Sequence, residues 1–500
     1  MTGPVAAAAV VETTQGRVRG SVADGVARFL GIPYAAPPWG ADRFALPRPH
    51  DPWDGVRAAT SFGPTAPQRP YDGELGSILP TVQVPGDEIL NLNVWAPVAP
   101  APGAGHPVMV WVHGGGLLHG SNALKTYDGQ AFARDGVVLV AINYRLGAEG
   151  FSVLDDAPAN LGLADQLAAL RWVHANIAAF GGDPQRVTVF GQSAGGASVA
   201  ALLASPALGS LVSGAIVQSG PIAAVPVRRV RRATQLVARS LGVAPTREAF
   251  GRVSREELLA AQTRVTGSGS VLTAGPAFGI VSGDPLVPVD PTVALARGAG
   301  ASVRLMLGYT TEEYRLWFLP TRLIDDLNRA HLYGAALKLK ASRTAVTRYR
   351  RNRPGATSGE VIGMLATDAL LRLPKNRLAD ARGADTWMYE FAWRSPVHDL
   401  GAAHALEVGF VFDNLACTES RAFAGPDAPP ELADALHRAW VRFATDGDPG
   451  WQAWDATRPV MMFDHPRSRL VHAPRDDERD ALEPRRPRPS ARAGSGGRRP

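Results

Sequence analysis

Gly191-Gln192-Ser193-Ala194-Gly195 places a serine between glycines, directly after the β-branched and aromatic run Val187–Phe190 and before the helix-compatible run Gly196–Ala204. That order predicts a sharp strand-to-helix turn whose small neighbours let backbones approach closely and whose serine hydroxyl projects beyond the strand end. A helix N-terminus behind the serine favours negative charge developing in front of it. A serine hydroxyl becomes a useful nucleophile only beside a base, and the tetrahedral adduct it forms needs hydrogen-bond donors for its oxyanion. His113-Gly114-Gly115-Gly116 ends the apolar run Val108–Val112 and is suited to present bare backbone N–H groups. No Gly-Lys-Ser/Thr phosphate loop and no His-Glu-x-x-His zinc helix occurs anywhere in the chain.

The base is expected beyond the serine, among His331, His398, His404, His437, His465 and His472. A loop past a strand end is the natural place for it, which leaves His398 and His404 after the run Trp387–Trp393. For the acid that orients the imidazole, the run Val303–Leu307 ends at Gly308 and leads to Glu312 and Glu313. Residue chemistry alone leaves both pairs open.

These residues need a scaffold of strands and helices. Arg17–Gly20, Ala27–Gly31, Leu90–Trp95, Val108–His113 and Val137–Asn143 read as strands between glycine and proline punctuation. Val137–Ile142 is apolar at every position, as in a parallel strand covered on both faces. Leu163, Leu167, Leu170, Val173 and Ile177 repeat at helical spacing and predict an amphipathic helix over Leu161–Ala179, stopped by Phe180-Gly181-Gly182-Asp183-Pro184. The strand at Val187 then completes a βαβ crossover. Residues 221–381 are mostly helical and polar, broken by the strand at Val303, and could cover the sheet. Leu432–Ala444 predicts a late helix. The fold class is α/β, with one domain over 1–483 and a low-complexity tail over 484–500.

With 45% hydrophobic and 20% charged residues the 500-residue chain buries a large core rather than staying disordered. The net charge of +6 first points to an anionic partner. Six arginines between Pro484 and Pro500 account for it, so residues 1–483 balance and no nucleic acid or membrane partner is expected for the body. The single cysteine, Cys417, excludes an intrachain disulfide and a cysteine metal cluster. Neither a secretory signal nor a membrane span is evident, and a soluble cytoplasmic protein is the expectation.

The motifs together resemble the carboxylesterase type B family, the para-nitrobenzyl esterase and cholinesterase group of α/β hydrolases, in a form of bacterial type. The resemblance rests on Gly31-Ile32-Pro33-Tyr34-Ala35-Ala36-Pro37-Pro38, Arg43-Phe44, Trp53, Phe62-Gly63-Pro64, Leu92–Pro97, His113–Gly116, and Asp165-Gln166 through Phe180–Pro184 to Gly195. It spans about Glu12 to Asp464. It implies an α/β-hydrolase fold and a serine esterase with a Ser193-Glu313-His404 triad and an oxyanion hole from Gly115, Gly116 and Ala194, with no metal or organic cofactor. Glu313 is preferred because the family places its acid second in an acidic pair, and His404 because Gly401-Ala402-Ala403-His404 is similar to the family's base segment. Three departures stand out. Ala66 and Ile89 occupy the positions of a family disulfide, Gln192 stands where the cholinesterases have an acid, and Glu312 replaces the usual Asp. The expected substrate is a small neutral carboxylic ester. The same machinery acting on amide, carbamate or thioester bonds, or a non-catalytic adhesion role, are the alternatives.

Overall fold

The computed structural model describes residues 7–101, 103, 105–267 and 276–483, so the arginine-rich tail lies outside the described residues. The apolar runs form one twisted sheet of thirteen strands. Its first half comprises β1 (Ala7–Thr13), β2 (Gly16–Ala23), β3 (Val26–Pro33), β4 (Val56–Ala58), β5 (Asn91–Pro97), β6 (His106–Val112) and β7 (Val138–Ile142). The second half comprises β8 (Gly182–Gln192), β9 (Gly214–Gln218), β10 (Arg304–Thr310), β11 (Thr386–Phe391), β12 (Pro459–Phe463) and β13 (Arg469–His472). The spatial order is β1-β2-β3-β5-β7-β6-β8-β9-β10-β11-β12-β13, with β4 on β2. Every pairing from β7 through β12 is parallel, as is that of β4 with β2, while β1, β2, β3, β5 and β7 pair antiparallel in succession and β13 pairs antiparallel with β12.

Period-two alternation sorts the side chains of the parallel strands onto two cores. Val108, Val110, Val112, Val138, Val140, Val187, Val189 and Leu305 pack on one face, and Met109, Trp111, Leu139, Phe190, Ile216 and Met306 on the other. All of β6 and β7 is buried, as the unbroken apolar runs require. A third cluster around Tyr314, Phe318, Leu332, Tyr349, Val361 and Leu365 holds together the helices of the 221–381 region that follow β10. Among the described residues no helix is long and apolar enough to cross a membrane.

Two expectations are corrected here. The helix spans Leu161–Asn176, tightens into a 3-10 turn over Ile177–Phe180 and stops at Gly181 with φ 81°, but it is buried around most of its circumference rather than amphipathic. Its exposure is confined to a stripe at Ala168, Arg171, His174 and Ala175, because it lies beneath the N-terminal segments as well as against the sheet. β9, which runs next to the strand carrying the serine, is a further strand that the pattern reading passed over, since Gly214–Gln218 is short and begins on glycine.

Asp165 on this helix meets Arg145 in a fully buried ion pair, with Nη2 to Oδ1 at 2.6 Å and Nε to Oδ2 at 2.8 Å. The same carboxylate accepts the Arg145 N–H at 3.0 Å, and Arg145 Nη1 reaches the Ala45 carbonyl at 2.8 Å. One ion pair thus ties the N-terminal loop, the segment after β7 and the crossover helix. Removing one partner strands a buried charge, so Asp165→Ala is expected to lower unfolding free energy by about 3–5 kcal/mol, measured by urea denaturation. A loss below about 1 kcal/mol would be the signature of a solvated surface pair instead.

Candidate active site

β8 ends at Gln192 and a helix begins at Ala194, which leaves Ser193 alone in the turn with φ 58° and ψ −121°. A non-glycine residue in that region is strained, and tight packing on both sides maintains it. A Cβ on Gly195 would lie 2.0 Å from the Val112 carbonyl, and one on Gly191 2.6 Å from the Gly195 carbonyl carbon. The Ser193 N–H donates to Gln218 O on β9 at 2.8 Å. From Val187 to Gly196 every residue is buried except Ser193, which is partly open.

The His113–Gly116 loop leaves the end of β6 and passes directly over this turn. A Cβ on Gly114 would sit 3.1 Å from Ser193 Cβ and 2.8 Å from the Gln192 carbonyl. Gly115 (φ 105°) and Gly116 (φ 63°) take backbone conformations that side chains disfavour. Among the described residues, the N–H groups of Gly115, Gly116 and Ala194 have no protein acceptor. His113 is a buttress of this loop: its Nδ1 donates to Gly114 O at 2.9 Å and its ring stacks on Tyr144 at 4.5 Å, whose hydroxyl donates to His113 O at 2.8 Å. Burial pushes the His113 imidazole down to about 4, so it stays neutral.

The two open choices separate in space. Glu313 is fully buried after β10, accepts the Thr310 N–H at 2.8 Å through Oε1 and accepts the His404 Nδ1–H through Oε2. Glu312 points elsewhere, to the Ala402 N–H at 3.0 Å, to Arg394 and to Arg315 at 3.6 Å. It therefore pins the loop that carries His404. Gly401 on that loop has φ 60°, and a Cβ there would meet Glu312 Oε2 at 2.4 Å. His404 is buried, lies under the Trp317 ring at 4.5 Å, and its Nε2 faces Gln192 Nε2 at 3.1 Å. His398 is exposed and pairs with Glu74 at 3.0 Å. His437 is buried against Val411 O and Asp135, and His331, His465 and His472 lie exposed.

A buried polar cluster packs near the Glu313–His404 pair. Gln218 Nε2 reaches Glu407 Oε1 at 3.4 Å, and Trp440 Nε1 donates to Gln218 Oε1 at 3.0 Å. Lys375, also fully buried, donates to Gly220 O at 2.8 Å. Burial, with Glu313 nearby, raises the Glu407 carboxyl from 4.5 to about 8, and burial lowers Lys375 from 10.5 to about 8. Their burial is decided by tertiary packing, because a Glu and a Lys ordinarily read as surface residues. Ala66 and Ile89, at the positions of the family disulfide, are buried members of a single apolar cluster.

A model of the carboxylesterase family matches residues 7–471. The chain is 36% identical to the para-nitrobenzyl esterase of Bacillus subtilis (strain 168), over 95% of this chain and 98% of that protein. It is 34% identical to the phenmedipham hydrolase of Pseudarthrobacter oxydans, over 91% and 94% of the two. The crystal structure of a Geobacillus stearothermophilus carboxylesterase superposes with a TM-score of 0.83 at 36% identity, covering 95% of this chain and all of that one. The fold is that of the α/β hydrolases. The chain belongs to the carboxylesterase family, a class of carboxylic ester hydrolases.

Glu407 makes a checkable demand on stability. Below about 4.5 the carboxyl is protonated in both folded and unfolded chains, and above about 8 it is ionised in both. Between these values only the unfolded chain has released the proton, so stability falls as pH rises, by up to about 1.4 kcal/mol per unit. Glu407→Gln keeps an oxygen for Gln218 and cannot ionise. Its stability relative to wild type, measured by urea unfolding, is expected to rise between pH 5 and pH 8; a difference constant with pH would place Glu407 in contact with water.

Proposed function

We propose that this protein hydrolyses small neutral carboxylic esters through an acyl-enzyme, with Ser193 as nucleophile, His404 as general base and acid, and Glu313 as the group that orients and balances the imidazolium. The observation that carries this reading is the buried Glu313–His404 pair, whose imidazole stands beside the strained turn bearing the partly open Ser193. In the forward step Ser193 Oγ attacks the ester carbonyl carbon and its proton passes to His404 Nε2. The oxyanion takes up the N–H groups of Gly115, Gly116 and Ala194. The alcohol leaves with the proton from His404, and water repeats the attack on the acyl-serine, returning the proton to Ser193. Residues 1–483 act as one catalytic domain, with the 221–381 region shaping the acyl and alcohol pockets. The uncharged Gln192 next to the nucleophile favours neutral over cationic esters.

Fluorophosphonate labelling and p-nitrophenyl ester turnover test the reading together. Ser193→Ala is expected to abolish both, His404→Ala to lower turnover by about a thousandfold or more, and His398→Ala to leave it unchanged. A folded wild-type protein that neither labels nor turns over esters is a binding member of the family instead. The named relative that acts on phenmedipham makes the scissile bond worth testing. Turnover of p-nitrophenyl esters is expected to exceed that of matched anilides by several orders of magnitude, and the reverse ranking would reassign the bond.

A further inference from the structure

The imidazole nitrogen that must receive the serine proton already has a partner. His404 Nδ1 is committed to the Glu313 carboxylate, which can only accept, so Nδ1 carries the ring proton. In the neutral ring Nε2 then offers a lone pair, and its neighbour at 3.1 Å is the Gln192 amide nitrogen, which can only donate. Among the described residues His404 makes no hydrogen bond to Ser193 Oγ. Gln192 is 4% and His404 5% exposed, so water competes weakly for this contact. Neither end is loose. The Gln192 backbone pairs with Gln218 across β8 and β9, and the imidazole is held by Glu313 and Trp317.

Resting on the hydrolase reading above, we infer that Gln192 is a positioning residue for the base: its carboxamide N–H stands on His404 Nε2 in the place the Ser193 hydroxyl must take, holding the imidazole neutral and in the reactive tautomer until Ser193 displaces it. The amide chemistry matters. A carboxamide can donate to the lone pair of a neutral ring, whereas a carboxylate at the same point attracts a protonated Nε2 and so stabilises an imidazolium, which is not a base. Because Gln192 and Ser193 are consecutive, the exchange needs rotation of side chains only, with the strained turn unchanged. The other ionisable groups around the ring are Glu313 on Nδ1, Glu407 three residues along the chain, and Lys375, which interacts with both carboxyls. None of these reaches Nε2 in a hydrogen bond, so Gln192 is the neighbour through which that nitrogen can be tuned.

The test uses the full chain as wild type, Gln192→Glu and Gln192→Met, with folding checked by circular dichroism. Gln192→Glu is expected to move the acid limb of the kcat/KM profile upward by about one unit or more, a loss of about tenfold or more at pH 6 that is recovered at high pH. Gln192→Met fills the space without a donor and is expected to speed fluorophosphonate labelling at pH 8 about two- to fivefold, because Ser193 no longer competes for Nε2. Titration of His404 by histidine-selective nitrogen NMR, assigned with His404→Gln, reads the Gln192→Glu shift without any turnover. The inference is overturned if His404 titrates at the same pH in wild type and Gln192→Glu, or if Gln192→Met labels no faster than wild type. Loss of activity in the wild type itself would count against the hydrolase reading, and the NMR comparison would still decide the role of Gln192.

Discussion

Backbone clearance where β6, β8 and β9 end governs everything built at the top of this sheet. The helix that starts at Ala194 must run back across the strand it came from, and it does so at distances that leave no room for a side chain. Gly195 lies against Val112 O, Gly191 against Gly195, and Gly196 against Gln218 O and Gly220. Only because these four positions lack Cβ atoms can Ser193 hold its strained dihedrals with its N–H on Gln218 O. The glycine loop after β6 is measured from the same crossing, since Gly114 rests on Gln192 and Ser193.

Glu313 and His404 arrive from two further strand ends and must be held to the same precision. A division of labour between adjacent carboxylates achieves this. Glu313 turns inward to the imidazole, while Glu312 turns outward and binds the backbone of the loop that brings His404 in, assisted by Arg394 and Arg315. The two carboxylates are consecutive in the turn after β10 and reach different partners, one the imidazole and the other the backbone of the loop that carries it.

Electrostatically, the Glu313–His404 pair is surrounded by groups that burial shifts toward their neutral forms. His113 is neutral in the glycine loop after β6, Glu407 keeps its proton to about pH 8, and Lys375 loses its charge above about the same value. In a low-dielectric pocket each extra fixed charge would bias the protonation of a neighbouring imidazole strongly. An amide rather than a carboxylate at position 192 belongs to the same pattern.

Local information in the chain sufficed for what local physics dictates. Apolar runs such as Val137–Ile142 read as strands buried on both faces, and the glycines around Ser193 and after His113 announce tight turns, so the sheet, the turn that carries Ser193 and the glycine loop after β6 were legible. The choice between Glu312 and Glu313 and between His398 and His404 came from family likeness, because opposed neighbours on one turn, or two histidines on one loop, are equivalent in sequence terms. β9 escaped because five residues beginning on glycine carry little periodicity. Tertiary structure alone decided which carboxylate meets which ring nitrogen, that Gln192 faces Nε2, and that Glu407 and Lys375 are buried together. Those facts depend on contacts between residues up to 212 positions apart, whose geometry is set by the packing of the whole sheet and not by any neighbour along the chain.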